Sequence, residues 1–275
     1  MSKTKVLIVT QEMEPYTVLS EISHIARKLP QHVQSKGMEI RLLMPKYGTI
    51  NERRHKLHEV VRLSGMNIIV NEDDFPLIIK VASVAGARMQ VYFLDNEDFF
   101  KRKFIFENDK GEAFDDNDER MIFFCKGVLE TVKKFGWAPD IIHCHGWMTS
   151  LIPMYAKTAY KSEPLFQDSK VVYSMYNQEY DTKFSGDFAE KATINNLRAA
   201  DLADYVEGEG VNLHKGAIAF SDALIKGSEE LGATENKALE YIGEKPVLEF
   251  QTEEEYLNQY IEFYKSILEP KEEEA

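Results

Sequence analysis

Short, dense apolar runs alternate along this chain with longer stretches in which apolar residues recur three and four positions apart. Residues 5–10 carry Val6, Leu7, Ile8 and Val9 in succession, a run of strand length with no polar face. The polar residues 11–15 form a loop, and from Leu19 the positions Ile22, Ile25, Ala26, Leu29 and Val33 follow helical spacing. That spacing predicts a helix stopped at Gly37 and kinked near its middle by Pro30. Residues 39–44 read as a second strand, ended by Pro45. Strand, helix and strand in one short span imply a right-handed crossover and a parallel pair.

Residues 57–94 change character. Runs at 59–63, 67–71, 76–84 and 89–94 are β-rich and split by turn residues, which predicts an antiparallel insertion. Residues 99–118 are aromatic and charged without period, the pattern of a long surface loop over the sheet edge. Helical spacing returns over 119–135, with Ile122, Phe123, Gly127, Val128 and Val132 on one face. Beyond it, 170–175 is a buried run, 184–211 is polar and helix-prone, 215–220 a short helix and 223–226 a last strand. Residues 229–243 follow no consistent pattern. A terminal helix over 253–268 places Tyr256, Tyr260, Ile261, Tyr264 and Ile267 on its apolar face, and residues 271–275 form a solvated charge run. The pattern thus predicts an α/β fold, one doubly wound, mostly parallel Rossmann-like sheet in a single domain over 1–275.

The remaining stretch, 140–153, organises the others. Ile141 and Ile142 lead into His143, Cys144 and His145 with Gly146 as a turn, a parallel strand whose carboxyl end opens into a crevice. Open α/β sheets bind ligands at such ends. Period two places His143 and His145 on one side of the strand and Cys144 on the other. From Trp147 the positions Leu151, Tyr155 and Ala159 predict a helix, which would set its N-terminus beside His145. The crevice would continue into Tyr176, Asn177, Gln178, Glu179 and Tyr180. A purely structural strand-to-helix turn has the same local pattern.

Composition narrows the reading. The 275 residues are 44% hydrophobic and 29% charged, with 46 acidic against 33 basic side chains and a formal net charge of -13. That balance argues against nucleic acid or an anionic membrane surface as a partner, and no run approaches the ~20 apolar residues of a membrane span. Two cysteines, Cys125 and Cys144, are too few for a disulfide framework and point to a reducing, cytoplasmic setting. A single His-x-His without a second ligand cluster predicts no metal site, and no Gly-rich turn after Thr10 offers a cofactor site. Cys144 faces away from both histidines, against a thiol nucleophile. The run 115–119 (DDNDE) opens a helix, where acids complement the helix dipole. Binding of sugar hydroxyls by these side chains is the competing reading.

Several segments together resemble the amino-terminal half of bacterial glycogen and starch synthases. They are residues 6–15 (VLIVTQEMEP), 28–30 (KLP), 35–48 (SKGMEIRLLMPKYG), 91–95 (VYFLD), 114–120 (FDDNDER), 140–147 (DIIHCHGW) and 212–222 (NLHKGAIAFSD). The most specific is 140–147, which is similar to that family's His-x-His-Asp-Trp signature. The resemblance implies one half of a glycosyltransferase B fold, working by retaining α-1,4-glucosyl transfer from ADP- or UDP-glucose to a glucan. His145 would be the active-site histidine beside the donor glucose and Asp116 the aspartate facing the same sugar. Asn117, Gly146, Trp147, Tyr176 and Asn177 would line the substrate.

The chain also departs from the family. Residues 18–22 (VLSEI) stand where the family has a Lys-Thr-Gly-Gly-Leu loop, so Glu21 brings negative charge to a diphosphate's place. Gly146 replaces the signature aspartate and Tyr176 the histidine of the second turn. The resemblance therefore implies a second domain absent from this chain, with a separately encoded carboxyl-terminal half as the expected partner and nucleotide-sugar and α-glucan as ligands. It leaves open a catalytically silent glucan-binding or regulatory module. In full-length relatives a terminal helix crosses back onto the first domain, and 253–268 resembles it.

Overall fold

The computed structural model describes residues 3–84, 86–177, 184, 186–208 and 210–269. Strands β1 (Lys5–Thr10) and β2 (Glu39–Pro45) are parallel neighbours joined by α1 (Glu21–Ser35). Helix α1 does not break at Pro30: its stripe of Ile22, Ala26, Leu29, Pro30 and Val33 is buried against β1 and β2. That burial offsets the one helix hydrogen bond a proline removes.

After α2 (Glu52–His55), strands β3 (His58–Glu59), β4 (Met66–Val70) and β5 (Asp73–Ser83) form the antiparallel insertion. Asn71 and Glu72 turn β4 into β5 with positive φ at both, the geometry of a primed two-residue hairpin turn. The predicted insertion is too wide by one strand. β6 (Gln90–Asp95) pairs parallel with β2 and antiparallel with β5, so it belongs to the main sheet and joins it to the insertion.

Helix α3 (Glu97–Phe100) interrupts the predicted surface loop and buries Phe99 and Phe100. Helix α4 (Asn117–Phe135) starts two residues earlier than the apolar spacing suggests and leads to β7 (Ile141–His145). No α-helix begins at Trp147. Residues Trp147–Thr149 form a 3-10 turn, and α5 starts only at Ile152 and ends at Lys157. Thr149 explains the delay, because its hydroxyl donates to the Gly146 carbonyl (2.7 Å) and holds the tighter turn.

β8 (Lys170–Met175), α6 (Phe188–Lys191), the small hairpin of β9 (Val206–Glu207) and β10 (Gly210–Val211), α7 (Leu213–Phe220) and β11 (Ala223–Lys226) follow. The unpatterned stretch after β11 holds α8 (Ala233–Leu239) and leads to one more strand, β12 (Val247–Leu248), before α9 (Tyr256–Leu268). The expected continuation of the crevice through 178–180 and the charge run 271–275 lie outside the described residues.

Among the described residues ten strands make one sheet, ordered β12-β11-β8-β7-β1-β2-β6-β5-β3 with β4 paired to β5. Chain order reverses at β1: β2 lies on one side of it and β7 on the other, both parallel. A parallel sheet places its ligand crevice at the strand carboxyl ends beside such a reversal. The strands there are buried on both faces, with Val6, Leu7, Ile8, Val9, Ile141, Ile142, Val171 and Val172 at 0% exposure. No described helix is long and apolar enough to cross a membrane.

Candidate functional site at the switch point

Four parallel strands deliver the residues of the crevice. Thr10 at the end of β1 is in register with His145 of β7, and His145 with Ser174 of β8. β8 runs on into Tyr176 and Asn177, and β11 into Gly227 and Ser228. His143 and His145 do share one side of β7, their rings 3.8 Å apart. Both are fully buried.

Their environments differ. His143 is held at both ring nitrogens, Nδ1 by the Tyr264 hydroxyl of α9 and Nε2 by the Ser174 hydroxyl, each at 2.6 Å. Among the described residues His145 bonds only through Nδ1, to the Tyr176 hydroxyl at 2.7 Å, while its buried Nε2 has no partner there. Burial pulls the His145 imidazole down to about 3. The same cause, with the neighbouring His145 second, holds His143 well below its ordinary value. Both rings are therefore neutral at physiological pH. The Tyr176 ring packs against Gly227, where any Cβ would collide with it.

Gly146 is required by the backbone. Its φ of 84° and ψ of 168° lie where only glycine is unstrained, and a Cβ there would strike the Gln11 side-chain carbonyl and sit 2.9 Å from Ile22 Cδ1. An aspartate at this position would have to displace the Gln11 side chain and adopt a strained backbone. Gln11 Oε1 instead accepts from the Met148 N–H (3.3 Å), and the Tyr47 hydroxyl donates to the Gln11 carbonyl (2.9 Å).

The loop between β1 and α1 is answered by the chain's own carboxylates. Buried Glu12 accepts from the Leu19 N–H (2.7 Å), the Ser20 N–H (3.0 Å) and the Ser20 hydroxyl (2.5 Å). Ser20 in turn caps α1 by accepting from the Ile22 N–H. Glu21 accepts from the Ser228 hydroxyl, whose oxygen accepts from the Asn177 N–H (2.8 Å). Backbone groups that could have held an external anion are bonded internally.

The remaining predicted residues gather around Phe106 and the start of α4. Asp116 forms a two-pronged pair with Arg102 at 2.7 and 2.5 Å. Asn117 donates to the Phe106 carbonyl (2.8 Å) and accepts from buried Arg120 (2.6 Å). Trp147 is buried with its ring 5.0 Å from Phe106. Thus His145, Gly146, Tyr176 and Asn177 converge at the strand ends, Asp116 and Asn117 are held by arginines, and Trp147 packs on Phe106. Among the described residues no cluster of three or more His, Cys, Asp or Glu is arranged to hold a metal. Both cysteines are free and buried.

Several participants escaped the sequence reading: Gln11, Glu12, Arg102, Ser174, Ser228 and Tyr264. The one readable signal was the spacing of Tyr256, Tyr260 and Tyr264, three phenols four apart on a helix face where Leu or Ile would be usual.

A doubly wound, mostly parallel sheet with a polar crevice at its β1/β7 reversal defines a Rossmann-like domain. The starch synthase catalytic domain family matches residues 5–235, and the chain belongs to that family. It is 36% identical over 254 residues to a glycogen synthase of Chlorobaculum tepidum, an overlap of 88% of this chain and 51% of that protein. Against a glycogen synthase of Chlorobium phaeobacteroides it is 43% identical over 174 residues, 63% of this chain and 36% of the relative. The chain thus spans about half or less of the relatives it matches. The catalytic domain of starch synthase IV from Arabidopsis thaliana, solved with ADP and acarbose, shares the fold at a TM-score of 0.76 and 22% identity, over 91% of this chain and 52% of that one.

Proposed function

We propose that this chain forms the amino-terminal wall of a cytoplasmic glycogen or starch synthase-type glycosyltransferase. It serves α-1,4-glucosyl transfer from ADP- or UDP-glucose to a glucan only when a second Rossmann-like domain faces it, a separately encoded carboxyl-terminal half being one source of that domain. The observation that carries the reading is His145 at the β7 end beside the β1/β7 reversal, in a chain of this family. In this reading His145 and Asp116 face the sugar, and Asn117, Gly146, Trp147, Tyr176 and Asn177 shape the surface around it. The need for a facing wall is physical: transfer requires water to be excluded and cationic groups to meet the leaving diphosphate. The β1–α1 loop instead has its own N–H groups taken by buried Glu12, and α1 opens on Glu21.

One feature favours a second reading, a silent glucan-binding or regulatory module. Glu12 already takes the loop N–H groups, so a nucleotide diphosphate would have to compete with a built-in carboxylate. Radiolabelled ADP- or UDP-glucose with a glycogen primer separates the two. The purified chain alone should incorporate no label above its His145→Ala variant, and added carboxyl-terminal domain of a full-length relative should restore incorporation. Transfer by the chain alone would overturn the first reading. Silence in the mixture together with maltooligosaccharide binding would establish the second.

A further inference from the structure

We infer that α9 is a polar latch that shuts the crevice over His145, and that unseating α9 is the step that opens it. The helix buries one face only, Tyr256, Tyr260, Ile261 and Tyr264, and leaves Asn258, Gln259, Glu262 and Lys265 exposed. Three of those four buried side chains are phenols. Tyr264 bonds His143, whose ring lies tilted 3.8 Å from that of His145, and Tyr260 lies 5.9 Å from the His143 ring. Tyr176, the one hydrogen-bond partner of His145 among the described residues, is buried with Tyr260 and Tyr264. The His145 ring is thus sealed beneath a layer that α9 completes.

Three features make α9 the part that moves. It contributes no strand to the sheet, so unseating it breaks no ladder hydrogen bond. Its outer anchors are exposed polar contacts: His32 to Asn258 at 3.1 Å, and Glu253, just ahead of the helix, to Lys28 at 2.6 Å. Such pairs hold weakly in water. The seam is also imperfectly filled. A cavity of about 190 Å³ lies under the first turn of α9, lined in part by Glu21, His24, Gly227, Gln251, Tyr256 and Tyr260. Two buried polar atoms, Tyr256 Oη and His145 Nε2, have no partner among the described residues. Each would regain hydrogen bonds to water or to a ligand on opening, which biases the latch toward release.

Carbethoxylation of histidines by diethyl pyrocarbonate, read by mass spectrometry beside amide hydrogen exchange of α9, tests this on the full chain. It uses neither donor nor acceptor, so its outcome is independent of whether the chain transfers glucose. In the unaltered chain His145 should react far more slowly than exposed His58. Tyr264→Phe keeps the ring but removes the bond to His143, and should speed α9 exchange and His145 modification together by about five- to tenfold. Ile261→Ala loosens α9 without touching any hydroxyl and should do the same, while Gln259→Ala on the exposed face should change neither. If either loosening variant speeds α9 exchange and leaves His145 as slow as before, the helix is not the closure. Modification of His145 at the rate of His58 in the unaltered chain would overturn the latch outright.

Discussion

Gly146 and Tyr176 show how single residues commit this crevice to its shape. Replacing Gly146 by Ala forces a Cβ against Gln11 in a backbone region that only glycine tolerates, at an expected loss of about 2–4 kcal/mol in urea unfolding. Gly146→Asp, which restores the family's residue, should destabilise at least as much and restore no transfer. A fully stable Gly146→Asp would show that Gln11 can move aside. Tyr176→Phe leaves both ring nitrogens of a buried imidazole unpaired, costing about 1–3 kcal/mol. Unchanged stability would mean that water reaches His145 Nδ1. Neither dependence was readable from the sequence: glycine at 146 looked like a turn residue, and nothing local connects Tyr176 to a histidine 31 positions earlier.

At the scale of elements, α4 carries a buried cation with a structural task. Lys126, 2% exposed, donates to the Ile69 carbonyl of β4 (2.8 Å) and the Thr193 carbonyl after α6 (2.7 Å). It thereby pins the antiparallel insertion and the α6 segment to the helix beneath them. Burial lowers its ammonium to about 8, and the carbonyls are what offset the loss of water. Lys126→Met fills the space but strands those carbonyls, so stability should fall by about 2 kcal/mol. Hydrogen exchange should rise first at residues 66–70; a uniform rise over the sheet would contradict the pinning role. Spacing gave the main strands and the long helices but not α2, α3, α8, the β9–β10 hairpin or β12, and several boundaries moved. Side-chain bonds displaced the helix start after β7, and β6 joined the parallel sheet by pairing with the distant β2, Val91 with Leu42, which no local pattern reveals.

For the whole molecule, the two buried histidines set an acid limit. Their folded pKa values are depressed, His145 to about 3 from an ordinary 6.5. Below pH 6.5 the unfolded chain takes up protons that the folded chain refuses, so stability falls as pH drops and is unaffected by these groups above that point. The slope should reach about 1.4 kcal/mol per pH unit for each histidine. Urea unfolding between about pH 7 and pH 5 should show it, and His145→Asn should reduce it; an unchanged slope would place the acid sensitivity elsewhere. The sequence by itself determined the alternation of strands and helices, the parallel β1–β2 crossover, the pairing of His143 and His145 on one side of β7, and the family. Each of these depends on near neighbours and on the period of apolar residues, which chain order carries directly. Only the tertiary structure decided what the crevice contains: Glu12 on the loop N–H groups, Gln11 against Gly146, Asp116 bound to Arg102, and a tyrosine from α9 on His143. Those contacts join side chains that period and composition do not connect, such as His143 and Tyr264, 121 positions apart. They form because a buried polar group must find a partner wherever the packed sheet brings one within reach.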